Sequence, residues 1–356
     1  MNSQQLVTKA LANEQDCNYH LPSPCSRIPV ISVIIPTYNR AHSIGKSINS
    51  ILIQSYQNFE VIVVDDRSTD NTEEIVKSFN DPRIKYIRHQ HNLGAAVARN
   101  TGIEKSRGRY IAFLDSDDEW LPHKLTKQVE LLEQCKPEVG VVYTGLEIVN
   151  EFNQIQRTKV PTYRGYLRNT LLFANVVGTP STVMVKREYL ERVRGFDPDI
   201  LQFAADADLW VRLSESCEFE VISEVLVRYL ESDSDRLSTN PKAVVKSILA
   251  FINKHHKNLN LNNLNKEKNN FLVKERAEHL FYTGRLLVCN GFIISDPKAI
   301  EMGRRYLFLA FRNNFFKLKP FLYYGISLLG KNAFFNYIQL ENNSRKFISS
   351  YILKRE

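Results

Sequence analysis

The chain has 356 residues, 43 % of them hydrophobic and 24 % charged, with a formal net charge of +8, a composition of soluble globular proteins without low-complexity tracts. Residues 1–28 hold no apolar core of signal-peptide type, and no charge-free apolar stretch is long enough to span a bilayer, which argues against export and insertion. Five cysteines (Cys17, Cys25, Cys135, Cys217, Cys289) are odd in number, scattered and without metal-ligand spacing, as expected of reduced thiols in a cytosol.

After the polar leader, Val30–Asn39 ("VISVIIPTYN") is a β-branched run ended by a proline, the pattern of a buried strand. Ile44, Ile48, Ile51 and Leu52 then share one helix face. Phe59–Asp66 ("FEVIVVDD") predicts a second buried strand, followed by a helix with Asp70 as N-cap and Glu73 at the capping-box position. Arg83–His89 predicts a third strand, Gly94–Ser106 a third helix, and "YIAFLDSDDEW" from Tyr110 a fourth strand that runs into crowded carboxylates. Strands alternating with helices of this length imply right-handed crossovers and a mostly parallel sheet covered on both faces. Ligands of such sheets bind at the carboxyl ends of the strands. "PTYN", Asp65–Asp66 and Asp115–Asp118 all fall there.

Beyond Lys136 the pattern changes. Val139–Val149 reads as a strand, Ser181–Asp197 as a strand entering a short helix, Ala207–Ser216 as a helix and Glu224–Tyr229 as a final strand. From about residue 241 the pattern is helical, with a boundary near Ser238–Lys242. Residues 241–356 carry 20 Lys and Arg against 7 Asp and Glu, whereas residues 1–240 carry 27 against 32. A basic tail on a mildly acidic body suggests an anionic partner (a membrane surface, nucleic acid or another protein) or simply a solvated helical surface.

Asp115 and Asp117 at a strand end suit Mg2+ or Mn2+, which are held by one or two carboxylates together with the phosphates of a nucleotide. The alternative is an acidic loop capping a helix that begins near Leu121–Pro122, where Asp118 and Glu119 favour the helix N-terminus. An acidic residue at the end of the second strand, Asp65 or Asp66, is placed to hydrogen-bond a nucleoside, or to serve the turn that follows. "IIPTYNRAHSIG" has neither G-x-G-x-x-G nor a P-loop lysine, which excludes the usual dinucleotide and P-loop sites. Tyr38 offers a flat ring to a base, or packing.

"ISVIIPTYNR", "FEVIVVDDRSTDNT", "HNLGAAVARNTGI", "GRYIAFLDSDDEWLPHKL" and "GFD…DADLWVRL" together resemble family 2 glycosyltransferases of the GT-A fold over about residues 30–235. The resemblance implies an α/β architecture: a Rossmann-like nucleotide-binding half, an acceptor-binding half and a mixed, mostly parallel sheet. The GT-A domain would span residues 29–240 and the basic helical region 241–356. It further implies an inverting transfer from a nucleotide-sugar donor, with UDP as the expected nucleotide, to a saccharide or lipid-linked hydroxyl, dependent on Mn2+ or Mg2+ and serving cell-surface polysaccharide or glycolipid assembly. Carried over residue by residue, Pro36, Thr37 and Tyr38 would line the uridine, Asp66 would bond the uracil, and Arg99 and Asn100 would lie beside the nucleotide. Asp115 would face the ribose, Asp117 would ligate the metal, and Asp206 would be the catalytic base.

Two departures stand out: Ala205 replaces the family's glutamate before the base, and "RYLESDSDRLS" replaces its YR-x-H stretch, leaving Arg236 as a substitute cation. They bear on acceptor binding or orientation of the base and on closure over the diphosphate, and they sustain one rival, a nucleotide-binding regulatory or scaffold protein with weakened catalysis. A nucleotidyltransferase would carry a Gly-rich phosphate loop after the first strand, and a processive synthase Q-x-x-R-W with membrane spans; neither is present. Donor choice is expected to depend on the loop Thr162–Thr182. "FRNNFFKLKPFLYYGISLLGKN" (Phe311–Asn332) combines apolar bulk with cations, as an interfacial membrane segment does, or packs as a helical subdomain. The expected location is cytoplasmic, including the inner face of the membrane, and no nucleic-acid partner is expected.

Overall fold

Alternating buried residues set the first half of the fold. The computed structural model describes residues 29–200, 203–231, 240–256, 270–313 and 318–352. Strand β1 (Ile31–Thr37) pairs in parallel with β2 (Phe59–Asp65) and β4 (Tyr110–Phe113), and β2 with β3 (Ile84–Arg88). Helices α1 (Ile44–Leu52), α2 (Thr72–Ser78) and α3 (Ala95–Lys105) connect them. Ile31, Val33 and Ile35 pack on one face with Ile44, Ile48 and Ile51 of α1, whereas Ile34 packs on the other. A strand buried on both faces must be apolar on both, as the unbroken run requires.

The second half turns the sheet mixed. Strands β5 (Glu119–Trp120), β6 (Val139–Val149), β7 (Ile155–Lys159), β8 (Val183–Lys186) and β9 (Glu218–Leu230) complete nine, in the order β3-β2-β1-β4-β8-β6-β9-β5, with β7 on β6. β8 lies antiparallel between β4 and β6, and β9 runs parallel to β6. Helices α4 (Lys124–Gln134), α5 (Arg168–Leu171), α6 (Arg187–Arg192) and α7 (Ala205–Ser214) complete this half.

Two local expectations are corrected. Asp118 and Glu119 do not start a helix: Glu119 and Trp120 form β5 against β9, and α4 begins only at Lys124. Asp118 is buried and spends its carboxylate on the Ser181 hydroxyl and the Leu230 N–H. The capping box at α2 is absent as well. Asp70 accepts from the N–H and hydroxyl of Thr72 and from the N–H of Ala41, which ties α2 to the first loop. Glu73 pairs instead with Lys77 and Arg88. The final strand also starts six residues earlier than its apolar run, at Glu218, because parallel pairing with β6 extends it.

Beyond Pro241 the described residues are helical: α8 (Pro241–His255), α9 (Asn270–Ile294), α10 (Pro297–Asn313), α11 (Lys319–Leu328) and α12 (Lys331–Ile352). The end of α8 fastens this region to the sheet domain. Lys254 reaches Asp197 at 2.6 Å and Asp208 at 2.7 Å, and His255 Nε2 reaches Asp208 at 2.7 Å. His256 donates from Nε2 to the Leu172 carbonyl, 2.6 Å away, and its Nδ1 accepts from the Tyr306 hydroxyl. Burial pushes its pKa down to about 4, which keeps the ring neutral for both bonds.

Asp208 is fully buried on α7, where burial alone would raise its pKa. The His255 hydrogen bond, the Arg212 guanidinium and Lys254 outweigh burial and hold it at about 2. The folded value lies below the ordinary carboxylate value of about 3.9. Its stabilisation is therefore full above that pH and lost as pH falls towards about 2. Asp208→Asn should lower stability near neutrality by about 2 kcal/mol in urea unfolding, and should flatten the acid dependence below about pH 4. An unchanged acid dependence would contradict this coupling.

Candidate active site

The loops after β1 and β2 interlock at the carboxyl edge of the sheet. Asn39, at φ 52, donates its N–H to the Ser68 hydroxyl and accepts from the Thr69 N–H. Asp66 N–H donates to the Thr37 carbonyl at 2.8 Å, closing the two strand ends together. Pro36 lies buried within β1, and Tyr38 beyond it stands 45 % exposed, its ring open to a ligand. The Thr37 hydroxyl oxygen is buried without a hydrogen-bond partner, an unmet polar group on the face expected to meet a nucleoside.

Asp66 is buried and heavily engaged. Oδ1 takes His89 Nδ1 and the Leu93 N–H, both at 2.8 Å, and Oδ2 takes the Gly94 N–H at 2.6 Å. Gly94 holds φ 90, where a side chain would be strained, and so turns its N–H onto the carboxylate at the head of α3. A carboxylate has about four acceptor positions; three are spent on the loop, leaving one for a ligand.

Arg99 and Asn100 on α3 face different tasks. Arg99 Nη2 donates to Asp115 Oδ1 at 2.5 Å, and its Nε is buried without a partner. Asn100 clamps the Gly195–Phe196 turn by donating to the Phe196 carbonyl and accepting the Phe196 N–H, at 2.7 and 2.8 Å. Both functions of its amide are thereby used within the protein.

The acidic loop after β4 is answered by one short segment before β8. Thr179 donates its hydroxyl to Asp115 at 3.3 Å, Ser181 donates to Asp118 at 2.5 Å, and the Asp115 N–H donates to the Ser181 hydroxyl at 3.1 Å. Strand β5 and helix α4 both support that segment. Trp120 Nε1 donates to the Ser181 carbonyl, and Gln128 Nε2 to the carbonyls of Thr182 and Val142. Lys124, fully buried, lies 4.0 Å from the Trp120 ring centre and donates to Gln128; burial pushes its pKa well down.

Asp206 lies in the first turn of α7, half-buried. Its Oδ1 takes the Ala207 N–H at 2.8 Å and its Oδ2 the Asn175 amide at 3.1 Å. Loss of solvation pushes its pKa up to about 6, against the pull of the Ala207 N–H and of Arg99. Arg99 and Asp115 both act on it electrostatically, which brings this carboxylate and the acidic loop into one site. Ala205 is buried in the apolar cluster around Leu209 and Val177 and presents no polar group.

Asp117 suits a divalent cation. Its side chain is 39 % exposed, and Arg40 approaches it at 3.7 Å. Burial and the neighbouring Asp115 raise its pKa, the sign of uncompensated negative charge. Among the described residues no cluster of three or more His, Cys, Asp or Glu could hold a metal by itself. Two hard oxygen ligands, completed by phosphate oxygens, remain a fitting arrangement.

Contacts join most of the expected residues: Asp66 to Thr37 at the strand ends, Asp117 to Arg40 of the loop after β1, Arg99 to Asp115, and Asp206 electrostatically to Arg99 and Asp115. Arg236 lies outside the described residues. Asn175, Thr179, Ser181 and His89 were not expected. They sit in a small, polar, Gly- and Pro-containing stretch and a strand-end loop, where composition marks a turn but not its long-range partners.

A family model described as "Glycosyl transferase family 2" matches residues 32–194. An uncharacterized glycosyltransferase of Methanocaldococcus jannaschii is 30 % identical over 207 residues, 56 % of this chain and 70 % of that one. The chain belongs to glycosyltransferase family 2. It is 41 % identical over 143 residues to "UDP-Glc:alpha-D-GlcNAc-diphosphoundecaprenol beta-1,3-glucosyltransferase WfgD" of Escherichia coli, which covers 39 % of this chain and 56 % of WfgD. The chain thus spans little more than half of that relative. In fold it is similar to S. aureus TarS 1-349 in complex with UDP-GlcNAc, with a TM-score of 0.58 at 20 % identity over 78 % of this chain and 79 % of that one. This GT-A family member therefore has the mixed sheet that its motifs imply, and the helical C-terminal region expected from the sequence pattern beyond residue 241.

Proposed function

We propose that the chain is an inverting glycosyltransferase that moves a sugar from a nucleoside diphosphate donor, UDP-linked, to a hydroxyl of a saccharide or lipid-linked acceptor in cell-surface polysaccharide or glycolipid assembly. The observation that carries it is that Asp206, a half-buried carboxylate with a pKa near 6, is tied to the acidic loop after β4: Arg99 and Asp115 act on it electrostatically, and the segment from Asn175 to Thr179 bonds Asp206 at one end and Asp115 at the other. WfgD is named for a UDP-linked donor and a diphosphoundecaprenol-linked acceptor, and its likeness supports both classes.

On this reading Tyr38 stacks on the base, the Thr37 hydroxyl and the last acceptor position of Asp66 bond the nucleoside, and Asp115 faces the ribose. Asn100 contributes by holding the Gly195–Phe196 turn. Asp117 would hold Mn2+ or Mg2+, which when bound offsets the negative charge developing on the diphosphate leaving group. Asp206, ionised above about pH 6, takes the proton of the attacking hydroxyl on the face opposite the leaving group. One displacement inverts the anomeric carbon.

The basic C-terminal region is proposed to rest on the anionic inner face of the membrane, which places the enzyme in the cytoplasm. No described helix is long and apolar enough to cross a membrane. Leu318, Phe321, Leu322, Leu328 and Leu329 are exposed at helical spacing on and beside α11, opposite buried Pro320, Tyr323 and Ser327. Phe315 and Phe316 lie outside the described residues. Such a face, in a region with 20 Lys and Arg against 7 Asp and Glu, suits an interfacial helix.

Three outcomes test these assignments. Asp117→Ala should abolish the Mn2+-dependent part of UDP binding in calorimetry with the fold intact; equal UDP affinity with and without metal in wild type would remove the metal from the account. Asp206→Asn should keep UDP binding but slow turnover of UDP-glucose or UDP-GlcNAc by about 100-fold or more. Wild-type kcat/KM should fall as pH drops below about 6, because the base must be ionised; near-normal turnover by the variant would move the base elsewhere. For the membrane, truncation before α8 is unsuitable, since it strips Lys254 and His255 from Asp208. Leu322→Glu with Leu329→Glu should instead abolish salt-sensitive sedimentation with phosphatidylglycerol vesicles, and wild type that fails to sediment would refute the surface.

A further inference from the structure

The base stands on a helix whose preceding residue is an alanine, so its orientation must come from elsewhere. Within α7 it has only one donor, the Ala207 N–H at Oδ1. A free carboxylate so held could still rotate Oδ2 away from an acceptor, and that freedom would cost catalytic geometry. The second constraint comes from residue 175, 31 positions earlier in the chain.

We propose that Asn175 is the positioning residue for the catalytic base: its amide fixes Asp206 Oδ2, and through the same loop it links the base to the donor-side carboxylates. The inference rests on the reading of Asp206 as the base. Asn175 Nδ2 donates to Asp206 Oδ2 at 3.1 Å and to the Gly178 carbonyl at 3.3 Å, and its Oδ1 accepts the Gly178 N–H at 2.9 Å. Gly178 adopts φ +86, so the turn closes only with a residue that tolerates this conformation. One residue on, Thr179 binds Asp115, and two further on, Ser181 binds Asp118. The segment from Asn175 to Ser181 therefore touches the base at one end and the acidic loop at the other.

The chemistry of the contact is directional. An N–H donor to a carboxylate favours the ionised form, the form a base needs. With one N–H on each oxygen, the remaining lone pairs stay open for the acceptor proton. The charged groups facing Asp206 from packed elements are Arg99 on α3 and Asp115 after β4; Asn175 is the neutral donor among them.

Asn175→Asp separates the two roles of the side chain. It keeps an acceptor for the Gly178 N–H, so the turn can close, but it replaces the donor to Asp206 by a negative charge. Asn175 is exposed, so the change should leave the fold and UDP binding unaltered, with the melting temperature as control. The assay is hydrolysis of UDP-glucose or UDP-GlcNAc with Mn2+, water serving as acceptor, in wild type, Asn175→Asp, Asn175→Ala and Asp206→Asn.

The expected result for Asn175→Asp is an acidic limb of kcat moved up by about one pH unit, a loss of about tenfold near that limb that recovers at higher pH, and an unchanged donor KM. Asn175→Ala should shift the limb in the same direction by less. A wild-type limb and rate in Asn175→Asp would overturn the proposal, and so would a loss accompanied by a lowered melting temperature or a raised donor KM, the mark of a structural role only. If Asp206→Asn itself keeps turnover, the base assignment fails, and that failure is read from a different variant.

Discussion

Like charges crowded at the edge of a sheet govern this structure. Asp115, Asp117 and Asp118 follow β4 within four positions, and Asp206 and Asp208 follow one another on α7. At the separations of such a cluster each pair repels by on the order of a few kcal/mol once water is partly excluded. The fold answers each carboxylate separately. Asp118 is buried under Ser181 and Leu230, Asp115 is paired with Arg99, and Asp208 is neutralised by Arg212, Lys254 and His255. Asp117 and Asp206 keep part of their carboxylates exposed, and burial raises the pKa of both, as it does well above the ordinary value for fully buried Asp118. These two are the carboxylates proposed as metal ligand and base.

Compensation also explains why distant parts of the chain are joined. The C-terminal helices are no separate appendage: the last turn of α8 supplies two of the three side chains that bond Asp208. Burying that carboxylate without them would be strongly unfavourable. The stability of the helix that carries the base is thus tied to a region beyond the span of the family model, residues 32–194. The same helical region presents the apolar face of α11 to solvent, so catalysis and membrane docking would share one rigid connection.

Much of this was legible in the residues. The buried alternation of β1 and β2, the helix face of Ile44, Ile48 and Ile51, and the acidic strand ends all follow from local pattern, and the structure places them as expected. Five ordered motifs were enough to identify the family and its fold. What stayed hidden is set by long-range partners. Asp118 reads as a helix cap from its neighbours, but Ser181, 63 residues away, decides its role. Asn100 belongs to a motif associated with nucleotide, yet its amide is consumed by Phe196, 96 residues on. Asn175 has no periodicity or motif to mark it. Short strands such as β5 and the fully exposed β7 carry too little hydrophobic pattern to be read locally.

The most direct test of the account is a crystal structure with UDP, an intact UDP-sugar and Mn2+. The account predicts the cation on the Asp117 carboxylate and on diphosphate oxygens, the uracil between Tyr38 and Asp66, and Asp206 on the face of the sugar opposite the diphosphate. A donor bound at another edge of the sheet, or Asp206 on the same face as the leaving group, would contradict it.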